Sequence, residues 1–122
     1  MGSYRMDRVG EDIMRELTAI LRTVKDPRVS GLISIVRADV TRDMSYATVY
    51  ISSMDGLEAA KMAVKGLSSA AGYMRRELGL ALKLRHVPEL RFVADDSIAY
   101  SSHIAEQLHR LEQEKQGTEN EE

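Results

Sequence analysis

Lys61, Lys65, Arg75, Arg76, Lys83, Arg85 and Arg91 form the densest run of cations in the chain. Lys61 and Lys65 stand four residues apart, so on a helix they share a face, while Val64 and Leu67 point elsewhere, toward a core. Repeated positive charge on a rigid surface is what a phosphate backbone requires, because each neutralised phosphate releases condensed counterions. These seven are the candidate nucleic-acid-binding residues. The competing reading is an ordinary solvated Lys/Arg surface, and composition alone does not choose between the two.

Other chemistry finds few residues to carry it. There is no cysteine, which removes thiolate nucleophiles, thiolate metal sites and disulfides. His103 and His109 are six apart and fall on different faces of a helix, so they make no joint metal site, and His86 reads equally as an RNA contact or a plain surface residue. Asp95-Asp96 has the look of paired acids, but adjacent strand residues point to opposite faces, and Ser97 beside them invites a helix-capping role. No phosphate-cradling or dinucleotide-binding glycine pattern occurs. Without a nucleophile, base and orienter set, no catalytic residue, cofactor or metal is expected, and the chain is not expected to be an enzyme. Tyr46 and Tyr50 share a strand face, free to stack on bases or to be covered by the last helix; Phe92 pairs with Leu90 as core.

The elements that must position these residues follow from periodicity. Val9, Ile13, Leu17, Ile20, Leu21 and Val24 predict a helix over about residues 4–23, ended by Lys25-Asp26-Pro27-Arg28 because Pro27 disfavours helical backbone at Asp26. Leu32 to Thr41 reads as a strand, Thr41-Arg42-Asp43-Met44 as a turn, and Ser45 to Ser53 as a second strand of a hairpin. Helical spacing returns from Leu57 through Leu67, breaks near Gly72, and resumes from Tyr73 to about Leu82; Met74 and Leu78 are core candidates. Val87-Pro88 opens a third strand, Glu89 to Asp95, of undetermined direction. Ser97 is the expected N-cap of a last helix carrying Ile98, Ile104, Leu108 and Leu111. From Lys115 apolar periodicity ceases, and residues 115–122 are expected to form a disordered acidic tail after a single domain over 1–114.

The net charge of −2 conceals an asymmetry. Residues 1–95 hold 15 Lys and Arg against 12 Asp and Glu, a balance of +3, whereas residues 96–122 hold 2 against 7, a balance of −5. The chain's 122 residues suit one domain of the usual size of roughly 100–150. No apolar run approaches the roughly 20 residues of a membrane span, and Arg5, Asp7, Arg8, Glu11 and Asp12 are unlike a signal peptide, so the cytoplasm is the expected location.

The predicted order is α-β-β-α-α-β-α, an α+β arrangement like that of a type II KH-like domain. KH domains clamp nucleic-acid backbone with a Gly-x-x-Gly loop between paired helices. Here Gly66, Gly72 and Gly79 are six and seven apart, so that clamp is absent. In its place stands Ala70-Ala71-Gly72, which resembles the Ala-x-Gly interhelical kink of ribosome-binding factor A. The similarity to that family extends to Lys25-Asp26-Pro27-Arg28, Val40-Thr41-Arg42-Asp43-Met44, Ala47-Thr48-Val49-Tyr50-Ile51, Leu84 to Phe92 and Asp95-Asp96-Ser97-Ile98, covering about residues 4–111. Ser101 departs from it, standing where the family often has glycine. The resemblance implies a non-catalytic assembly factor, a monomer when free. It would bind 16S ribosomal RNA (rRNA) within immature small (30S) subunits, assist their late maturation and 5′-end processing, and matter most in the cold. The helix pair, its kink and the neighbouring cations would meet the RNA. The rival expectation is a protein-interaction adaptor with an incidental basic face.

Overall fold

Ala47, Val49 and Ile51 alternate with Tyr46, Thr48 and Tyr50, and this period of two sets the middle of a three-stranded sheet. The computed structural model describes residues 2–120 apart from Ser30. In chain order they form α1 (Gly2–Leu21), β1 (Ile33–Val40), β2 (Tyr46–Ser53), α2 (Leu57–Ser69), α3 (Ala71–Leu82), β3 (Glu89–Asp95) and α4 (Ser97–Asn120). This is the expected KH-like order.

Strands β1 and β2 pair antiparallel, with Val40 opposite Ala47 and Ile33 opposite Ser53. The turn between them is closed by Asp43, whose Oδ1 accepts bonds from Thr41 Oγ1 at 2.8 Å and Ser45 N at 3.0 Å. These bonds hold the Asp43 carboxyl below its ordinary pKa. β3 runs parallel to β2, with Val49 beside Phe92 and Tyr46 beside Glu89. A parallel pair needs a long crossover, and α2 with α3 is that crossover.

The register puts Ala47, Val49, Ile51, Leu90 and Phe92 on one face of the sheet. Ile13 and Leu17 of α1, Ala63 and Leu67 of α2, and Met74 and Leu78 of α3 close over that face as one buried cluster. Full burial of a Leu, Ile or Met side chain contributes about 1.5–3 kcal/mol. The helix pair is therefore anchored from beneath by Leu67, Met74 and Leu78, none of which is accessible to solvent.

Four details differ from expectation. Helix α1 ends at Leu21, well before Pro27; Thr23 caps it, with its N–H and hydroxyl both donating to the Ile20 carbonyl at 2.9 and 2.6 Å. Ser97 is not the capping side chain of α4. Instead the Ser97 N–H donates to Asp95 Oδ1 at 2.7 Å and the Ile98 N–H to Ser52 Oγ at 3.2 Å, and the first of these bonds lowers the Asp95 pKa. Helix α4 also continues as helical backbone from Lys115 to Asn120, where an unstructured tail is expected; Glu121 and Glu122 lie outside the described residues. Finally, the apolar periodicity of α4 forms no core: Tyr100, Leu108 and Leu111 are exposed.

Candidate nucleic-acid interface

The break between α2 and α3 falls at Ala70, with φ −97° and ψ 8°, and no side chain caps either helix there. The Ala70 N–H is shared between the carbonyls of Gly66 and Leu67 at 3.2 and 3.0 Å. Ala70 and Ala71 pack against the core. Gly72 does not play the hinge role expected of it. It is the second residue of α3, its φ is not positive, and a Cβ placed on it meets nothing within 4 Å. What Gly72 supplies is an exposed stretch of backbone with open space above it.

The seven sequence-predicted cations separate into three groups. Lys61 and Lys65 lie on the solvent side of α2, opposite the buried Ala60, Ala63 and Leu67. Lys61 is within 3.3 Å of the exposed Glu58 carboxylate, a pair of the kind worth little in water. Arg76, Lys83 and Arg85 lie exposed on α3 and the loop that follows it. Among the described residues, Lys65, Arg76, Lys83 and Arg85 have no carboxylate within ion-pair distance. These four carry charge that a phosphate is able to neutralise.

Arg75 belongs to a second class. Its Nε and Nη2 both donate to the Val87 carbonyl, at 3.1 and 2.8 Å. Val87 in turn rests on Gly79, where a Cβ would come within 2.7 Å of Val87 Cγ2. Lys83 reverses the chain between them with φ 53° and ψ 42°, a left-handed C-terminal turn. Arg75 thus bolts the loop carrying Lys83 and Arg85 back onto α3.

Arg91 is separated from the rest. It alternates with the buried Leu90 and Phe92 on β3 and so faces away from the helices. There its guanidinium lies 3.8 Å from the centroid of the Tyr46 ring, a cation–π contact. A bulge between Ile35 and Arg37 turns Arg37 to the same open face, 5.6 Å from the Tyr50 centroid and 2.9 Å from Asp39. Arg91 and the helix-pair cations do not form one patch.

Sequence reasoning marked Lys25-Asp26-Pro27-Arg28 as a helix end and a family segment but did not place this loop beside the kink. Asp26 accepts three hydrogen bonds from Arg28: Arg28 N at 2.9 Å and Nε at 3.0 Å reach Oδ1, and Nη2 at 2.8 Å reaches Oδ2. The Arg28 side chain and backbone N–H hold the Asp26 carboxyl down to about 2, and the same pairing raises the Arg28 pKa. A groove of about 380 Å³ runs between this loop and the kink, bordered by Lys25, Gly66, Ser69 and Tyr73. The signal available beforehand was the Asp-x-Arg spacing after Thr23. His103 and His109 each lie near a glutamine four residues on, Gln107 and Gln113, and no metal-holding cluster occurs among the described residues. Among the same residues no helix is long and apolar enough to cross a membrane.

Comparison with known proteins meets this geometry over nearly all of its length. The family model described as ribosome-binding factor A matches residues 5–108. The ribosome-binding factor A of Clostridium botulinum (strain Loch Maree) is 37% identical over 116 residues, covering 94% of this chain and 97% of that one. Among solved structures, a Thermotoga maritima protein determined by solution NMR aligns with TM-score 0.67 and 30% identity, over 75% of this chain and 87% of its own. A homology model of the Thermus thermophilus ribosome binding factor A, fitted into a cryo-EM map of a 30S complex, aligns with TM-score 0.57 and 24% identity, over 67% of this chain and 86% of its own. The match spans α1 through most of α4, including the hairpin, the helix pair and its kink, so the chain belongs to the ribosome-binding factor A family.

Proposed function

We propose that this chain binds the immature small ribosomal subunit through its 16S rRNA and assists its late maturation, including processing of the 5′ end. The observation that carries the reading is the set of cations with no carboxylate partner among the described residues, Lys65, Arg76, Lys83 and Arg85, on exposed surface around a helix pair whose core side is closely packed. A rigid array suits phosphate binding because little ordering cost is left to the moment of association. The exposed backbone at Gly72 adds a point where a nucleic-acid strand can approach closely. A Thermus thermophilus member of the family has been placed on a 30S subunit, which supports the choice of partner. The protein works as a cytoplasmic monomer when free, with no catalytic step of its own.

The test is sedimentation of tagged protein with ribosomal particles from cells shifted to low temperature. The expected result is co-migration with small subunits and their precursors, and accumulation of 16S precursor RNA with poor cold growth when the factor is absent. Migration with complete ribosomes only, or none with any particle, overturns the proposal. One observation favours a second reading, an adaptor for another protein: Tyr100, Ile104, Leu108 and Leu111 stand exposed along α4. An adaptor keeps its partner after ribonuclease treatment, and an RNA-held factor does not.

A further inference from the structure

We infer that the loop from Thr23 to Arg28 is a brace across the interhelical kink, and that Arg28 is a positioning residue for RNA binding without touching the RNA. The inference rests on the proposed RNA-binding face. It starts from a deficit: at Ala70 two helices meet with no capping side chain to set their angle. The loop touches both sides of that break. On the α2 side, Arg28 Nη2 donates to Ser69 Oγ at 3.3 Å, and the Ser69 hydroxyl donates in turn to the Lys65 carbonyl at 3.2 Å. Gly66 lets the loop lie directly on the helix, since a Cβ there would stand 2.6 Å from Val29 Cγ2, 3.2 Å from Asp26 Cγ and 3.3 Å from Arg28 Cβ. On the α3 side, Tyr73 Oη lies 2.7 Å from Thr23 Oγ1. The single Thr23 hydroxyl proton goes to the Ile20 carbonyl at 2.6 Å, so Tyr73 is the donor in that bond.

Both ends of the brace are fixed to the body of the domain. Thr23 is fastened to the end of α1, whose Leu17, Ile20 and Leu21 are core residues. Arg28 is held in the right rotamer by the fork of Asp26, two parallel bonds at 3.0 and 2.8 Å, the geometry that makes arginine–carboxylate pairing directional. Its Nε and Nη2 are engaged by Asp26 and Ser69 and its charge is paired with the Asp26 carboxylate, so the contribution assigned to it is indirect. Lys65 lies one turn before the break and Arg76 beyond it. If the angle at Ala70 wanders, these cations match phosphates only part of the time, and the apparent affinity falls by the fraction of molecules in the competent geometry.

Three variants separate the possibilities: Arg28→Met, Tyr73→Phe and Ser69→Ala. Binding to purified 16S rRNA is measured across a salt series, with amide hydrogen exchange at Ala70 and Met74 in the free protein. The expected result for Arg28→Met is an affinity loss of about tenfold, with the competent fraction falling to roughly a tenth and the slope of log affinity against log salt unchanged. Exchange at Ala70 and Met74 accelerates, and Arg28→Lys restores little because an ammonium cannot form the fork. A slope lower by about 0.7–0.9 overturns the inference, since Arg28 would then itself neutralise a phosphate. Unchanged affinity with faster exchange also overturns it, leaving the loop a purely structural part. Should Arg28→Met fail to fold, Tyr73→Phe and Ser69→Ala each remove one anchor and carry the same two readouts. Unchanged exchange in all three variants defeats the brace alone; a parent protein that binds 16S rRNA without a salt slope defeats the RNA-binding reading beneath it.

Discussion

Replacing Lys65 and Arg76 together by glutamine removes two exposed cations that have no carboxylate partner among the described residues. If both meet phosphates, the slope of log affinity for 16S rRNA against log salt flattens by about 1.4 on single-stranded RNA and about 1.8 on a duplex, at 0.7 and 0.9 per contact. A fourfold rise in salt then erodes the advantage of the parent over the double variant by roughly tenfold. Circular dichroism should show both proteins equally folded, because neither side chain packs in the core.

The structure supplies the comparison that makes this decisive. Arg75 is adjacent in sequence, yet its guanidinium is bonded twice to the Val87 carbonyl. Arg75→Met should leave the slope within a few tenths of the parent while lowering stability by about 1 kcal/mol, the usual net worth of such a bond where water is at hand to replace it. A second control, Arg110→Gln with Lys115→Gln, removes the same charge from the acidic end and should flatten the slope far less. Equal effects from the controls and from Lys65 with Arg76 would mean that affinity follows net charge, and the proposed face would be refuted.

Gly72→Ala is expected to stabilise the fold by up to about 1 kcal/mol, since helical glycine is poorer than alanine and the new Cβ meets nothing; a lower melting temperature would refute the placement of Gly72 in α3. Gly66→Ala is expected to cost about 1–3 kcal/mol by urea unfolding, because its Cβ collides with Val29 and the Asp26–Arg28 loop. Cutting the chain after Glu114 should change unfolding free energy by less than about 1 kcal/mol, and a larger loss would show that residues 115–122 pack. Asp26 has its carboxyl depressed to about 2, so the Asp26–Arg28 link is complete above the ordinary carboxylate range and is lost as pH falls from about 4 through 2; carboxyl chemical shifts followed by NMR should report a midpoint near the lower value, and a midpoint near 4 would deny the pairing in solution.

The parts of this molecule legible in sequence are those fixed by local periodicity. The alternation through Ala47, Val49 and Ile51 placed β2 to within a residue, and the spacing of Ile13, Leu17, Met74 and Leu78 located helices and core together. Ends were less legible because they depend on single bonds: Thr23 to Ile20 closes α1, and Asp95 with Ser52 opens α4. The exposed stripe of α4 shows that helical apolar spacing predicts a helix without predicting burial. The parallel direction of β3 depends on how the helix pair crosses the sheet, which no local pattern encodes.

The fold divides the cations that the sequence groups together, for a physical reason. Lys83, Arg85 and Arg91 are near neighbours along the chain, but Arg91 points to the face of the sheet opposite Leu90, Phe92 and the helices. The division is legible in the alternation of Arg91 with Leu90 and Phe92, since side chains two apart share a face and immediate neighbours do not. Arg75 could not have been separated in that way. Its exposure is that of a free cation, and only the position of the Val87 carbonyl, set by a left-handed turn at Lys83 and contact with Gly79, reveals that its Nε and Nη2 are engaged. A guanidinium bonded through Nε and Nη2 to a backbone carbonyl meets a phosphate only with its remaining donors and in the orientation those bonds fix, whereas Lys65 and Arg76 have no such tether. If the helix pair meets RNA as proposed, affinity depends less on how many cations it carries than on which of them the fold leaves free to turn toward a phosphate.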